Sequence, residues 1–356
     1  MSTKPITDAT RSRGFESRRR GGFWLRLAIS LLFMLWVIRK VEWRQFEHTI
    51  REVDPVFLGL SLAIMPFLVA VSAWKTRVLM AARQHSISLP ECMRLYLVGL
   101  FFNNFLPTNV GGDVVRALML GRRTGHMAEA LACVFVERLT GLTTLAGMVL
   151  TAGLLAPAEV ADAQVRGSVA AFLAAYLLLL WVIFDGRFRR LTRARQHVKL
   201  VAKIARFQDA VQTFHGHRAA MGWCMLLSVA FYLLAALNIY WSARTFRAEL
   251  SYLQAFLVTP VVSVVSMFPS LGGIGLAEWA YLFGLGRFGV SPSAALSTAL
   301  LIRTKAVLLS LLGAWGYVVH GRRAHPADRC PRLQREEGPA AAADAPGDLA
   351  GGKDLC

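Results

Sequence analysis

Long apolar segments separated by short polar ones dominate this sequence. Six apolar runs are long enough to cross a bilayer, which takes roughly 20 mostly apolar residues. They cover residues 23–40, 55–74, 127–154, 166–185, 219–243 and 291–320. Two further apolar stretches, 95–120 and 251–288, are each interrupted by proline and a pair of glycines. The pattern predicts an all-α polytopic membrane protein with six full spans and two interrupted segments.

The composition supports the membrane class and argues against others. The chain is 55% hydrophobic and only 17% charged, whereas soluble domains carry about a quarter charged residues. The net charge of +18 does not indicate nucleic-acid binding, because the basic residues cluster between the apolar runs. The sequence has neither an ATP-binding loop nor a zinc-protease or nucleophile-elbow motif. We therefore expect no cofactor, no metal and no catalytic residues.

The placement of Lys and Arg predicts how the chain is oriented, because cytoplasmic loops are enriched in both. Basic residues concentrate in the leader 1–22, the loop 186–218 and the tail 321–356, and 155–165 has acids but no Lys or Arg. We therefore place both termini and the basic loop in the cytoplasm, with the spans in the cell's inner membrane. The loop 39–54 carries four basic residues although it must lie outside. The tail is Pro/Gly-rich near its end and is predicted to be disordered.

The two interrupted stretches resemble each other. This orientation requires each of them to enter and leave on one side, as a re-entrant or broken-helix hairpin. The first contains FLPTNVGGD (105–113) and the second MFPSLGGIG (267–275). The following spans also match, AEALACVFVERLTG against SAALSTALLIRTKA. The units 23–154 and 155–320 are thus predicted to form an inverted repeat, which is typical of transporters; chance matching of small apolar residues is the alternative.

A glycine pair follows proline in both hairpins, Gly111-Gly112 and Gly272-Gly273. A helix that begins at such a turn directs N–H groups and a partial positive charge at an anion. The alternative is that small residues allow close helix packing. The matching pairs favour a binding role.

Two arginines are predicted deep inside the membrane. Arg138 and Arg303 each lie about eleven residues into their spans, where a charge is costly unless paired or hydrated. Either they pair with an acid of another helix, such as Glu137 or Glu278, or they bind a phosphate or carboxylate. The adjacent Glu137 and Arg138 face about 100° apart on a helix and should not neutralise each other. Lys305 either makes a second contact or pairs structurally.

The first hairpin carries four more polar candidates. Asp113 and Arg116 are spaced i, i+3 and could simply pair with each other. Asn103 and Asn104, just before Pro107, could line a cavity or satisfy carbonyl groups that the break leaves free.

Three stretches, 101–120, 136–142 and 268–296, together resemble the lysylphosphatidylglycerol synthase transmembrane-region family, which are flippase-like integral membrane proteins. The resemblance extends over about residues 24–320 and implies the translocase-like part without the soluble aminoacyl-transferase domain of larger members. Through these motifs, the resemblance implies a substrate site formed by Pro107, Gly111, Gly112, Asp113, Arg116, Glu137, Arg138, Gly272, Gly273, Glu278 and Arg303. We add Asn104 to this predicted site.

The resemblance and the intramembrane charges together predict a lipid translocase rather than an enzyme. The expected partner is an anionic phospholipid, or a polyprenyl- or hopanoid-linked lipid, moved across the cytoplasmic membrane. Two alternatives stay open. One is an accessory membrane subunit of a lipid- or glycan-modifying system, with a membrane-bound transferase as its partner. The other is a membrane-embedded lipid-modifying enzyme.

Overall fold

The computed structural model describes residues 52–105, 111–155, 163–185, 214, 216–267 and 275–321. All regular secondary structure in these residues is helical. The helices are α1 (Pro55–Ala82), α2 (Leu89–Phe105), α3 (Gly111–Thr124), α4 (Met127–Leu155), α5 (Ala163–Phe184), α6 (Arg218–Thr245), α7 (Tyr252–Val265), α8 (Leu276–Gly286) and α9 (Pro292–Gly321). The leader 1–22, the predicted span 23–40, most of the basic loop 186–218 and almost all of the tail 321–356 lie outside the described residues.

Five of these helices are long and apolar enough to cross a membrane: α1, α4, α5, α6 and α9. They coincide with five of the six predicted spans, so the multi-pass helical class is confirmed. The largest difference is in α1, which continues to Ala82 although the apolar run was predicted to end at residue 74.

Each of the two interrupted stretches contains two described helices. The first consists of α2 and α3, and the second of α7 and α8. The residues between the arms, 106–110 and 268–274, lie outside the described residues and include Pro107, Gly272 and Gly273. The two described arms of each stretch pack against each other, which the parts of one continuous helix could not do, so each stretch is interrupted as predicted. Entry and exit on one side of the membrane stay a prediction.

Two large apolar clusters form most of the core of the described chain, and a small third cluster joins Leu139 of α4 to Ile183 of α5. One large cluster joins α1, α2, α3 and α4 with the start of α6 near Cys224. The other joins the end of α6 near Ile239 with α7, α8 and α9. Many members are alanines, which let helices approach closely in a membrane, where no hydrophobic force drives helices together. Each large cluster contains one hairpin and the span that follows it, and α6 reaches both.

The helices of the two large clusters pack in corresponding ways. Each helix contacts the next in α1–α2–α3–α4 and in α6–α7–α8–α9. Between the two groups, α1 packs on α6 and α9, α2 packs on α9, and α4 packs on α6 and α7. Within the groups, α1 also contacts α4, and α6 also contacts α9. If α1, α2, α3 and α4 are exchanged in order with α6, α7, α8 and α9, each of these pairs therefore becomes a pair that the structure also contains; the α1–α6 pair becomes itself. The remaining pair joins α5 to α4.

Candidate functional site

A buried ion pair joins α3 to α4. Both terminal nitrogens of Arg116 donate to the carboxylate of Glu137, over 3.1 and 2.9 Å. Both side chains are buried, and such two-point pairs are the strongest geometry that arginine offers a carboxylate. Thr76 of α1 donates a further hydrogen bond to Glu137 over 3.0 Å, and the ring of Tyr96 lies 5.2 Å from the Arg116 guanidinium carbon. The pair thus ties α3 to α4, and its surroundings involve α1 and α2.

A second carboxylate extends this pair towards the surface. Asp113 accepts from Arg138, with Nε 2.7 Å and the terminal nitrogen 2.6 Å from the same oxygen. The same aspartate lies 3.9 Å from Arg116. The Arg138 side chain is 60% exposed and that of Asp113 13%, so Arg138 is the accessible end of the chain. Arg138, Asp113, Arg116 and Glu137 form a row of alternating charges with no net charge, which we call the charge row.

These contacts decide the alternatives for the first hairpin. Arg116 and Asp113 do lie close together, as the i, i+3 spacing indicated, but the shorter contacts of Asp113 are with Arg138. Glu137 and Arg138 have different main partners, in agreement with their positions about 100° apart on α4. Arg138 is thus paired with an acid, but with Asp113 and not with Glu137 or Glu278 as the sequence suggested, and binding of a ligand stays a prediction.

The second hairpin has its own ion pair, between α8 and α9. Arg303 Nε donates to Glu278 over 2.9 Å, and the exposed fractions of the two side chains are 26% and 2%. The other Glu278 oxygen accepts the N–H of Gly275 over 2.7 Å, which satisfies one of the free donors at the start of α8. Gly275 has a φ of 84°, a conformation that glycine adopts without steric cost. The Glu278–Arg303 pair of α8–α9 thus corresponds to the Asp113–Arg138 pair of α3–α4, with the acid on the shorter helix and the arginine on the following span.

The glycine pair of the first hairpin has a packing role. A Cβ atom on Gly112 would overlap the carbonyl oxygen of Gly99, so only glycine fits where α2 and α3 cross. The Gly112 N–H donates to the side-chain oxygen of Asn103 over 2.8 Å. Asn103 therefore satisfies a free N–H rather than a carbonyl. The packing alternative is confirmed for Gly112, and an anion-binding role for Gly111 and Gly112 stays a prediction.

Lys305 of α9 lies in a polar cage that is formed with residues of α1 and α6. Its ammonium group donates to the Ser61 carbonyl over 3.0 Å, and to Asn238 and Ser242 side chains over 2.8 Å each. The lysine is 3% exposed. All three acceptors are neutral, and their number equals the number of ammonium protons. This cage, which we call the lysine cage, therefore joins α9 to α1 and α6.

Sequence reasoning missed a second buried lysine, Lys75 of α1. Its ammonium nitrogen lies 3.4 Å from the Ser228 hydroxyl and 5.6 Å from the centre of the Phe231 ring. The apolar run was predicted to end at residue 74, which put Lys75 at the membrane surface instead of within a span. The cage acceptors Asn238 and Ser242 were missed as well, although two polar residues four positions apart in an apolar helix are a signal for such a site.

The remaining predicted site residues lie where the structure gives no side-chain contact. The Asn104 side chain, Pro107, Gly272 and Gly273 are outside the described residues. In the part of the chain that the structure describes, no group of three His, Cys, Asp or Glu side chains could hold a metal ion. The arrangement of the described charges is suited to exchanging one carboxylate for another anion at Arg138.

Comparison with known proteins places this chain among membrane proteins of one family. The family described as the lysylphosphatidylglycerol synthase TM region matches residues 23–314. The chain belongs to this family. The match extends from the predicted first span into α9 and includes both hairpins and the charge row.

Two archaeal proteins match this chain over most of their length. A UPF0104 membrane protein of Methanothermobacter thermautotrophicus is 22% identical over 316 residues, which cover 81% of this chain and 90% of the relative. The UPF0104 membrane protein MJ1595 of Methanocaldococcus jannaschii is 22% identical over 324 residues, covering 81% and 91%. The shared length supports membership of the transmembrane-region family.

Proposed function

We propose that this protein moves an anionic lipid, preferentially a phospholipid, across the membrane without chemically changing it. The observation that carries the proposal is the position of Arg138 in the charge row. Arg138 is accessible, and the carboxylate that neutralises it, Asp113, is shared with the buried Arg116. An accessible guanidinium with a displaceable partner is suited to binding a phosphate, which it can contact through two N–H groups.

Displacement of Asp113 by a phosphate need not leave a charge alone in the membrane. When Arg138 turns to the phosphate, Asp113 still lies beside Arg116, which is 3.9 Å away in this state. The Nε of Arg116 has no hydrogen-bond partner among the described residues, so Arg116 has a donor left for Asp113. This matters because removing one partner of a buried ion pair typically costs several kcal/mol. The charge row therefore lowers the cost of binding and releasing an anion.

Three observations support the inverted repeat on which alternating access would depend. The helix pairs correspond when α1–α4 are exchanged with α6–α9. Each hairpin ends in a helix that is ion-paired to the next span. Arg138 lies eleven residues after Met127 and Arg303 eleven after Pro292, the first residues of α4 and α9. We propose that the two units rock against each other and expose the site to either side in turn.

Reconstitution tests this proposal. The purified protein is placed in liposomes with fluorescently labelled phosphatidylglycerol, and the label exposed on the outer leaflet is destroyed chemically to measure the rate of exchange. Loss of a charged hydrogen bond costs about 1.5–3 kcal/mol, so we expect Arg138→Gln to slow exchange about tenfold to a hundredfold. Arg123→Gln is the matched control, because Arg123 is 66% exposed and pairs with Glu91 at the surface.

Two results would contradict the proposal. One is a folded wild-type protein that exchanges none of the anionic lipids tested. The other is an Arg138→Gln protein that exchanges lipid as fast as wild type and unfolds at the same temperature.

An accessory role is the second candidate, and the position of α5 favours it. Among the described helices, α5 packs extensively only on α4. Most of the residues in its apolar segment are not buried in the protein. Such a face could bind a helix of a membrane-bound transferase. In that case substitutions on the exposed side of α5, at Leu177 and Leu178, would abolish the cellular phenotype while Arg138→Gln would leave it unchanged.

A further inference from the structure

A cavity of about 310 Å³ lies where the two groups of helices meet. Its walls are the end of α4, the beginning of α5 and the facing sides of α7 and α8. We call it the inter-unit crevice. Ser168 and Arg287 are the polar exceptions, together with the indole N–H of Trp279, in an otherwise apolar lining. The crevice is separate from the charge row and from the lysine cage.

Arg287 marks one end of the crevice. It follows the last residue of α8, and its guanidinium carbon lies 5.0 Å from the centre of the Phe283 ring. This cation–π contact holds the charge beside the apolar lining. The end of α4 and the beginning of α5 are joined by a short connection, so both lie on one side of the membrane. Arg287 lies in the turn between α8 and the span α9, which begins at Pro292, and the start of a span places it near the level of the lipid headgroups.

The apolar lining determines which kind of molecule the crevice can bind. A polar molecule would lose its hydration in the crevice and find few hydrogen-bond partners. The volume is at the lower end of that of small-molecule sites, and the crevice lies between membrane helices, where acyl chains are the surrounding medium. A cation at the headgroup level favours an anionic lipid. We propose that the inter-unit crevice binds one acyl chain of an anionic glycerophospholipid, with the phosphate at Arg287.

The crevice is connected to the ion pair of the second hairpin through α8. Trp279 lines the crevice, and the next residue towards the N-terminus, Glu278, binds Arg303. A lipid chain between α4 and α8 therefore contacts both units at once. That the bound lipid is also the transported substrate rests on the proposed function, whereas binding in the crevice does not.

Photo-cross-linking in nanodiscs tests the site on the full chain. The probe is phosphatidylglycerol with a diazirine in one acyl chain, and the labelled peptides are identified by mass spectrometry. We expect labelling of α7 and α8 at the crevice. Filling the crevice with Val261→Trp should reduce this labelling about tenfold, because the indole ring would occupy the volume that the acyl chain needs. Val229→Trp is the matched control, because Val229 is 40% exposed on α6 and does not line the crevice. Ala152→Phe is the second filling variant should Val261→Trp fail to fold.

A second experiment tests the proposed contact between the lipid phosphate and Arg287. Arg287→Gln should reduce the labelling by phosphatidylglycerol about tenfold through the lost charged contact, to the level of phosphatidylcholine carrying the same diazirine chain. Arg247→Gln is the control, because Arg247 is an exposed arginine in the turn between α6 and α7.

Either of two results overturns the inference. Labelling spread evenly over exposed faces such as Leu177 and Leu178, and unchanged by both filling variants, would show surrounding lipid only. Equal labelling by phosphatidylglycerol and phosphatidylcholine would contradict the proposed contact of the phosphate with Arg287. Crevice labelling in a protein that moves no lipid in liposomes would contradict the proposed function and leave this inference intact.

Discussion

Each of the buried charged side chains described above has a specific set of polar contacts. Arg116 and Glu137 share two hydrogen bonds, and Lys305 has three neutral acceptors. Taking a charge out of water and then removing its partner costs about 3–5 kcal/mol, whereas an exposed ion pair contributes about 1 kcal/mol or less. The contribution of a charged residue in this protein should therefore depend on its burial more than on its charge.

Glu137 provides a direct test of that rule. Glu137→Gln removes the carboxylate that is hydrogen-bonded to the buried Arg116 and leaves only the more distant Asp113, so we expect the free energy of unfolding to fall by about 3 kcal/mol. Glu129→Gln on the same helix is the control, because Glu129 binds Arg83 and His85 at a site where its side chain is 20% exposed; it should cost about 1 kcal/mol or less. Unfolding in detergent micelles followed by circular dichroism measures both. Equal losses would contradict the prediction.

The lysine cage predicts a double-mutant result. Asn238→Leu removes an acceptor from a buried ammonium group and should cost about 2–3 kcal/mol. Lys305→Met removes the charge itself, with a side chain of similar length, and should cost less because a buried charge no longer has to be solvated. The double variant should then be no less stable than Lys305→Met alone. If the two losses add instead, Asn238 stabilises the protein independently of Lys305.

At the scale of the element, the first hairpin depends on a close crossing of its two arms. Gly112 lies against the carbonyl oxygen of Gly99, and the Asn103 side chain caps a free N–H at the start of α3. In the second hairpin, Glu278 caps the start of α8 from within its own helix. Two hairpins of similar sequence thus satisfy the same backbone requirement with different residues.

Gly112→Ala should destabilise the first hairpin although alanine is the better helix former. The new methyl group would meet backbone atoms of α2, which cannot rotate away, so the arms must separate. Gly141→Ala in α4 is the control, since a Cβ there meets nothing within 4 Å and alanine is favoured over glycine by about 1 kcal/mol in a helix. We expect a lower folded yield and melting temperature for Gly112→Ala, and wild-type or higher values for Gly141→Ala. The reverse order would contradict the crossing.

At the scale of the whole molecule, the helix contacts and the loop charges lead to one arrangement. The contacts within α1–α4 correspond to those within α6–α9. The loop charges predict that the two groups run in opposite directions through the membrane. Under that prediction, corresponding turns of the two groups lie on opposite sides.

Cysteine accessibility tests this arrangement at Ser86 and Glu249, which lie in the turns between α1 and α2 and between α6 and α7. Both positions are exposed, and Cys92, Cys133 and Cys224 are buried. In a background with Cys330→Ser and Cys356→Ser, an impermeant maleimide should label Glu249→Cys in intact cells, and Ser86→Cys only after permeabilisation. Labelling of both on one side would contradict the inverted repeat.

The sequence by itself determined the membrane class, five of the described spans, the two interruptions and the family. These properties depend on apolar length, on proline and glycine, and on motifs, all of which are local in the chain. Only the tertiary structure decided that Asp113 binds Arg138, that Lys305 lies in a neutral cage, and that an apolar crevice separates α4 from α8. The reason is physical: side-chain partners depend on the rotation and crossing of helices distant in sequence, and an all-apolar helix carries little periodic signal for that rotation.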